Sequence, residues 1–134
     1  MSHAKTTTIL SAEPQLFISN MDASLAFYVG KLGFTVTFSY GEPPFSAQIS
    51  RGGAQLNLRR ADGPVFDRDF RRREADALSA TLTLDTAEPL YLEYQAAGVG
   101  FFQPLRTEPW GASIFIVEDP DGNLIAFAGA PTAD

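Results

Sequence analysis

Few side chains in this sequence could carry out acid–base or nucleophilic chemistry. There is no cysteine, which excludes disulfides, thiolate metal sites and cysteine nucleophiles together. The single histidine, His3, lies in the N-terminal tail, and Lys5 and Lys31 are predicted in that tail and on a helix surface. A nucleophile–base pair would therefore need a lysine or a carboxylate as its base. Glu13 is a candidate general base if an apolar cleft desolvates it; the alternative is an exposed carboxylate at the start of a strand.

The aromatic side chains favour a different activity, the binding of a flat molecule. They make up 12% of the chain, and each ring stacked on a planar ligand contributes on the order of 1 kcal/mol beyond area burial. Trp110 lies in a Pro-Trp-Gly turn outside the periodic segments. We expect it either to line a ligand cleft or to fill a subunit interface, and it does both if the cleft is formed between subunits. The residues that we predict to bind a ligand are Trp110, Tyr40, Phe45, Phe66, Phe70 and Phe102, with Gln48 and Asn57 as polar groups that orient it.

The composition narrows the function classes further. The chain fits a single domain, residues 1–134, with 45% hydrophobic and 19% charged residues. Its 10 basic and 16 acidic residues give a net charge of −6, which argues against nucleic acid as a partner and is compatible with a cationic ligand. No apolar run approaches the roughly 20 residues of a membrane span, and the first residues lack the apolar segment of a signal peptide. We therefore expect a cytoplasmic protein without a membrane or nucleic-acid partner.

The elements that would position these side chains are predicted twice along the chain. In the first half, a short strand precedes Asn20, which can cap a helix that ends at Gly33. In the second half, a strand precedes Thr86, which can cap a helix with Pro89 in its first turn. Alternating segments after each helix predict three further strands: residues 34–40, 45–50 and 54–59, and then residues 99–103, 113–117 and 124–128.

Each half therefore predicts a βαβββ module, the first over about residues 12–59 and the second over about residues 79–129. The connector between them, residues 60–78, carries charges of both signs and is typical of a solvated loop, although it also contains two phenylalanines. The sequence predicts an α+β fold in which the two repeats form a curved mixed sheet with helices outside and a concave cleft.

Two sequence signatures resemble those of the vicinal oxygen chelate superfamily, which includes glyoxalase, extradiol dioxygenases and bleomycin-resistance proteins. Residues 24–28 (SLAFY) and 32–34 (LGF) resemble its first helix-to-strand signature. Residues 109–111 (PWG) and 119–123 (DPDGN) resemble the signature of its second half. The resemblance covers about residues 12–129 and is nearest to the bleomycin-resistance proteins. It implies an acidic homodimer that binds a drug between its subunits without chemistry or a cofactor.

The resemblance also implies where a metal would bind if this chain were one of the superfamily's enzymes, which hold a divalent ion with His and Glu side chains. The internal repeat maps those positions to Glu13, Asn57, Ser79 and Ala126, with Gln15 as an alternative to the first. Glu13 alone is a strong donor, because a neutral amide and a hydroxyl are weak ligands and alanine has no donor atom. We therefore predict no metal and no catalytic residues.

Three functions remain open from the sequence. The first is a non-catalytic protein that sequesters a planar aromatic antibiotic or metabolite in the clefts of a homodimer. The second is a metal-dependent lyase, isomerase or dioxygenase in which Glu118 or Asp85 joins Glu13 as a ligand. The third is a regulatory or assembly subunit with a vestigial cleft. Stoichiometric metal would favour the second function, and the absence of any tight ligand would favour the third.

Overall fold

The computed structural model describes residues 6–130, so His3 and Lys5 lie outside the described residues. Within that part of the chain the first module is β1 (Gln15–Ile18), α1 (Met21–Leu25) with a π-helical continuation (Ala26–Lys31), β2 (Thr35–Tyr40), β3 (Ser46–Arg51) and β4 (Ala54–Arg60). The second module follows the connector helix α2 (Arg68–Arg73) and is β5 (Ala80–Leu84), α3 (Glu88–Ala96), β6 (Phe101–Thr107), β7 (Ser113–Glu118) and β8 (Leu124–Gly129).

The strands form two four-stranded sheets of the same topology. The first sheet has the order β1-β4-β3-β2 and the second the order β5-β8-β7-β6. In each sheet the first strand pairs parallel with the last, and the remaining pairs are antiparallel. The α+β class and the duplicated βαβββ order are therefore confirmed. The two modules were predicted to share one curved mixed sheet, and the structure instead has two separate mixed sheets.

Both sheets contribute one face to a shared hydrophobic core, and this face is called the inner face here. Strand alternation places Leu16 and Leu58 of the first sheet and Phe127 of the second in that core. Tyr28 and Tyr94 bring the two helices of the modules into the same cluster and are fully buried. The outer face of each sheet carries the alternate side chains, so it is the face available to a ligand. No helix within residues 6–130 is long and apolar enough to span a membrane.

A tight turn between β7 and β8 joins the modules by hydrogen bonds. The Tyr28 hydroxyl donates to the Asp119 carboxylate at 2.8 Å, and the Asn123 side-chain amide donates to the Phe17 carbonyl at 2.9 Å. The Asp119 carboxylate also accepts from the backbone N–H of Asn123, at 2.8 Å. Burial raises the pKa of Asp119, although these hydrogen bonds oppose the rise. Gly122 has φ +88°, a left-handed conformation that favours glycine in this turn.

Local patterns predicted some element boundaries and missed others. Asn20 caps α1 as predicted, because its side-chain oxygen accepts from the Ala23 N–H at 3.0 Å. The prediction that Thr86 caps the second helix is wrong: α3 begins at Glu88 without a side-chain cap, and the Thr86 N–H instead donates to the Asp85 carboxylate. The connector was predicted as a loop but contains the short helix α2, whose first turn is capped by the Asp67 side chain.

Candidate ligand-binding site

A row of polar side chains on the outer face of the first sheet brings together three residues singled out by the sequence. The register places Asn57 of β4 directly opposite Gln48 of β3 and Gln15 of β1, so their side chains share a face. The Gln48 amide donates to the Asn57 side-chain oxygen at 3.1 Å and to the Glu13 carboxylate. Thr37 donates to the Gln48 side-chain oxygen at 3.0 Å. These bonds leave the Asn57 amide N–H₂ and one Glu13 oxygen available to a ligand.

Two of the predicted aromatic residues lie together at the end of the same sheet. The rings of Tyr40 and Phe45 pack edge to face with centroids 5.8 Å apart. Tyr40 is 68% exposed and pairs across β2 and β3 with Ser46. The sequence reasoning did not single out Phe38, which is opposite Gln48 and exposed, or Phe17 of β1. Strand alternation could have predicted that Phe38 shares a face with Tyr40 and that Phe17 shares one with Gln15. Alternation alone does not show which face of a strand packs in the core.

The other predicted aromatic residues lie away from this row. Trp110 is 70% exposed in the turn between β6 and β7, where Gly111 N–H donates to the Glu108 carbonyl. Phe102 is exposed on β6. The structure places both in the second module, and within residues 6–130 no described hydrogen bond or aromatic pair joins either of them to the polar row. Their assignment to the ligand site stays a prediction.

The two phenylalanines of the connector lie at or near its contact with the second module. The guanidinium of Arg71 stacks over the Phe66 ring at 4.0 Å and donates to the Gly122 carbonyl at 2.9 Å. This packing holds the connector against the turn between β7 and β8. Phe70 lies on α2, where its backbone N–H donates to the Asp67 carboxylate that caps the helix. A ligand role for Phe66 and Phe70 also stays a prediction.

The donor atoms at the four superfamily metal positions do not fit a divalent ion. The Asn57 oxygen already accepts from Gln48, and the Ser79 hydroxyl donates to the Asn123 side chain at 2.8 Å. Ala126 offers no donor and lies in a small apolar cluster on the outer face of the second sheet. Within residues 6–130 no group of three or more His, Asp or Glu side chains could hold a metal ion. Glu13 would have to act almost alone, which is too few ligands for such a site.

A cavity of about 920 Å³ lies between the modules and contains none of the predicted ligand-binding residues, although Asp85, one of the alternative metal ligands, lines it. It runs from the start of β1 to the edge of β5 and α3. Two of its charged groups are paired, because Arg51 binds Glu93 at 2.7 Å and also donates to the Leu32 carbonyl, whereas Asp85 has no ion pair among the described residues. The Tyr94 hydroxyl donates to that carbonyl as well, at 2.8 Å. In the described part of the chain the cavity therefore has no free guanidinium, and its remaining polar side chains are Asp85, Gln55 and three threonines.

Comparison with known proteins identifies the family that the fold and the motifs indicate. The sequence model of the Glyoxalase/Bleomycin resistance protein/Dioxygenase superfamily matches residues 8–127. The chain therefore belongs to this superfamily. No curated protein matches the chain.

Solved structures with the same fold include drug-binding proteins. The bleomycin-binding protein from bleomycin-producing Streptomyces verticillus, complexed with copper(II)-bleomycin, is 24% identical with a TM-score of 0.71, covering 95% of this chain and 100% of that one. A bleomycin-binding protein complexed with bleomycin is 23% identical with a TM-score of 0.70, covering 90% and 98%. TioX from Micromonospora sp. ML1 is 20% identical with a TM-score of 0.69, covering 87% and 95%. At these identities the likeness establishes the fold alone.

Proposed function

We propose that this chain is a non-catalytic binding protein that sequesters a planar aromatic antibiotic or metabolite on the outer face of its first sheet. The observation that carries the proposal is the side-chain set on that face. Gln48 and Asn57 offer amide groups to a ligand, whereas three of the four positions that bind metal in related enzymes are occupied here by weak or absent donors. Such a surface can hydrogen-bond and stack a ligand, but it provides no strong electrophile and no paired acid and base.

The solved structures of this fold are consistent with the binding interpretation. Two of the solved structures that share this fold are bleomycin-binding proteins with the drug bound. The superfamily also contains enzymes, so the choice between the two rests on the side chains of this chain.

The proposal includes a cytoplasmic homodimer in which a second subunit helps to enclose the ligand. Every residue of β2, an edge strand, is exposed, including Val36 and Phe38. Exposed apolar edge strands are normally covered by another element or another chain. Trp110 is a large exposed aromatic residue of the kind enriched at subunit and ligand contacts.

The first test is the substitution Trp110→Ala, with bleomycin and other planar aromatic antibiotics titrated by calorimetry. Loss of a stacking indole should weaken binding at least about tenfold, since the stacking, on the order of 1 kcal/mol, adds to the apolar area that the indole buries at about 25 cal/mol per Å². The matched control is Leu92→Ala, which removes another exposed apolar side chain, from α3. Unchanged affinity in a folded Trp110→Ala dimer would remove Trp110 from the site.

The second test separates binding from metal-dependent catalysis. A native mass spectrum of the purified protein should show a metal-free dimer at twice 14.5 kDa. One metal ion per chain, lost on Glu13→Ala, would instead establish an enzyme-type site and overturn the proposal. A monomer without ligand affinity would point to neither function.

A further inference from the structure

An arginine that the sequence reasoning did not consider lies on the outer face of the first sheet. Arg59 of β4 is directly opposite Phe17 of β1 and Ser46 of β3. Its chain neighbour Leu58 is fully buried on the inner face, so alternation places the Arg59 side chain on the outer face. Arg59 is exposed there. It is therefore one row away from Asn57, about 6.6 Å along the same strand.

Aromatic rings lie on the same face as this arginine. Phe17 is the direct cross-strand neighbour of Arg59 and is 42% exposed. Tyr40 continues the same row beyond Ser46. Phe17 is one strand away from Arg59, about 5 Å, and Tyr40 is two strands away, about 10 Å. A flat ligand on Phe17 therefore lies beside the Arg59 guanidinium, and one on Tyr40 reaches it by extending over Ser46. The row thus combines one cation with two surfaces for stacking.

The charge of Arg59 has no carboxylate partner within residues 6–130, where the ion pairs involve other arginines. The charged group beside the polar row is Glu13, which accepts a hydrogen bond from Gln48. A guanidinium offers five N–H donors in a planar fork that matches both oxygens of a carboxylate. The face therefore presents an available bidentate anion-binding group next to amide donors and aromatic rings.

We propose that Arg59 determines the charge of the ligand, and that this face binds a planar aromatic molecule carrying a carboxylate. The ring lies against Phe17 or Tyr40, and the carboxylate accepts from Arg59. This inference rests on the proposed binding function and names the ligand class for the same face. An anionic ligand is unexpected for an acidic protein, but the net charge of −6 acts at long range. Beyond about 8–10 Å salt screens such charges, so the nearest group dominates at contact.

The test compares two ligands of the same ring and different charge, 2-naphthoate and 2-naphthamide, titrated into the full-length protein by calorimetry at neutral pH. The native protein should bind the acid about fivefold more tightly than the amide, the upper end of the effect of one exposed charge pair and the value expected for bidentate geometry. Arg59→Gln should lower the affinity for the acid until the two ligands bind within about twofold, with the amide unaffected. Arg59→Lys should restore part of the preference, because it keeps the charge and loses the fork.

The matched control is Arg60→Gln on the same strand. It removes the same charge, but Arg60 pairs with Ile18 and so belongs to the register of the inner face. Arg60→Gln should keep the preference for the acid. If it abolishes the preference as Arg59→Gln does, the net charge decides and the inference is overturned.

The remaining outcomes separate this inference from the proposed function. Equal binding of both ligands by the native protein would overturn the role of Arg59 and leave aromatic binding intact. Binding of neither ligand would overturn this face as an aromatic site and the inference with it. Circular dichroism and thermal melting of each variant confirm that it is folded, which we expect because neither arginine side chain has a described hydrogen bond to lose.

Discussion

Replacing Tyr28 by phenylalanine should destabilise the protein by about 2 kcal/mol, because it removes one hydrogen bond to a buried charge. The Tyr28 side chain is fully buried, and its hydroxyl donates to the Asp119 carboxylate at 2.8 Å. The same carboxylate oxygen also accepts from the Asn123 side chain at 2.9 Å, so Asp119 keeps partners in the variant. Asp119 thus loses one partner of several, and the ring of Tyr28 keeps its packing against Phe27 and Phe34.

The expected shift in melting temperature follows from the size of the chain. An unfolding entropy of about 2.1 cal/mol/K per residue gives about 0.28 kcal/mol/K for 134 residues. A loss of about 2 kcal/mol then lowers Tm by about 7 °C. Chemical denaturation should show the same loss as a lower midpoint at an unchanged slope, since the two proteins expose the same surface on unfolding.

The control is Tyr91→Phe, which removes a tyrosine hydroxyl that has no described hydrogen bond. Tyr91 is half-buried, and its ring packs on Phe101 and Phe115. This variant should melt within about 2 °C of the native protein, the effect of about 0.5 kcal/mol. If Tyr28→Phe and Tyr91→Phe are equally stable, the hydrogen bond between the modules contributes nothing net and the reasoning fails.

Two further perturbations test other features of the core. Burial raises the pKa of Tyr94 to about 12, and burial beside Asp119 raises the pKa of Tyr28 well above its usual range. Above pH 10 both tyrosines keep in the folded state a proton that the unfolded chain releases. The free energy of unfolding should therefore fall between pH 10 and 12 by about 1.4 kcal/mol per pH unit for each tyrosine, and Tyr28→Phe should halve that slope in melts at alkaline pH. Gly129→Ala should cost about 1–3 kcal/mol, because its Cβ would lie 2.6 Å from the Ala87 backbone nitrogen. Gly100→Ala, with open space around it, should be neutral by the same denaturation assay, and equal losses would contradict this explanation.

The features that the sequence predicted correctly depend on neighbours along the chain. The cap at Asn20 involves residues three positions apart, and the repeated βαβββ order depends on local alternation and turn residues. The cap at Thr86 was wrong: Pro89, three positions further on, has no backbone N–H to donate to the threonine side chain, and the helix begins later, at Glu88. The mixed charges of the connector concealed α2, whose helix is supported by the Asp67 cap and by packing against Gly122.

The features that the sequence missed depend on partners far away along the chain. Alternation shows that Asn57 and Arg59 share a face, but only the register with Gln48 and Phe17 shows which side chains surround them. Arg59 was overlooked for that reason, although its type and position were available. The hydrogen bond of Asp119 could not be predicted either, because its buried partner Tyr28 is 91 positions away along the chain.

The hydrogen bonds between the modules also have a consequence during synthesis on the ribosome. Tyr28 is made 91 residues before Asp119, which at about 5–20 residues per second is a delay of about 5 to 18 s. During that interval the inner face of the first sheet, with Leu16 and Leu58, lacks the second half of the core that will cover it. The nascent first module is therefore the aggregation-prone species of this protein, and slower translation should lower the soluble yield.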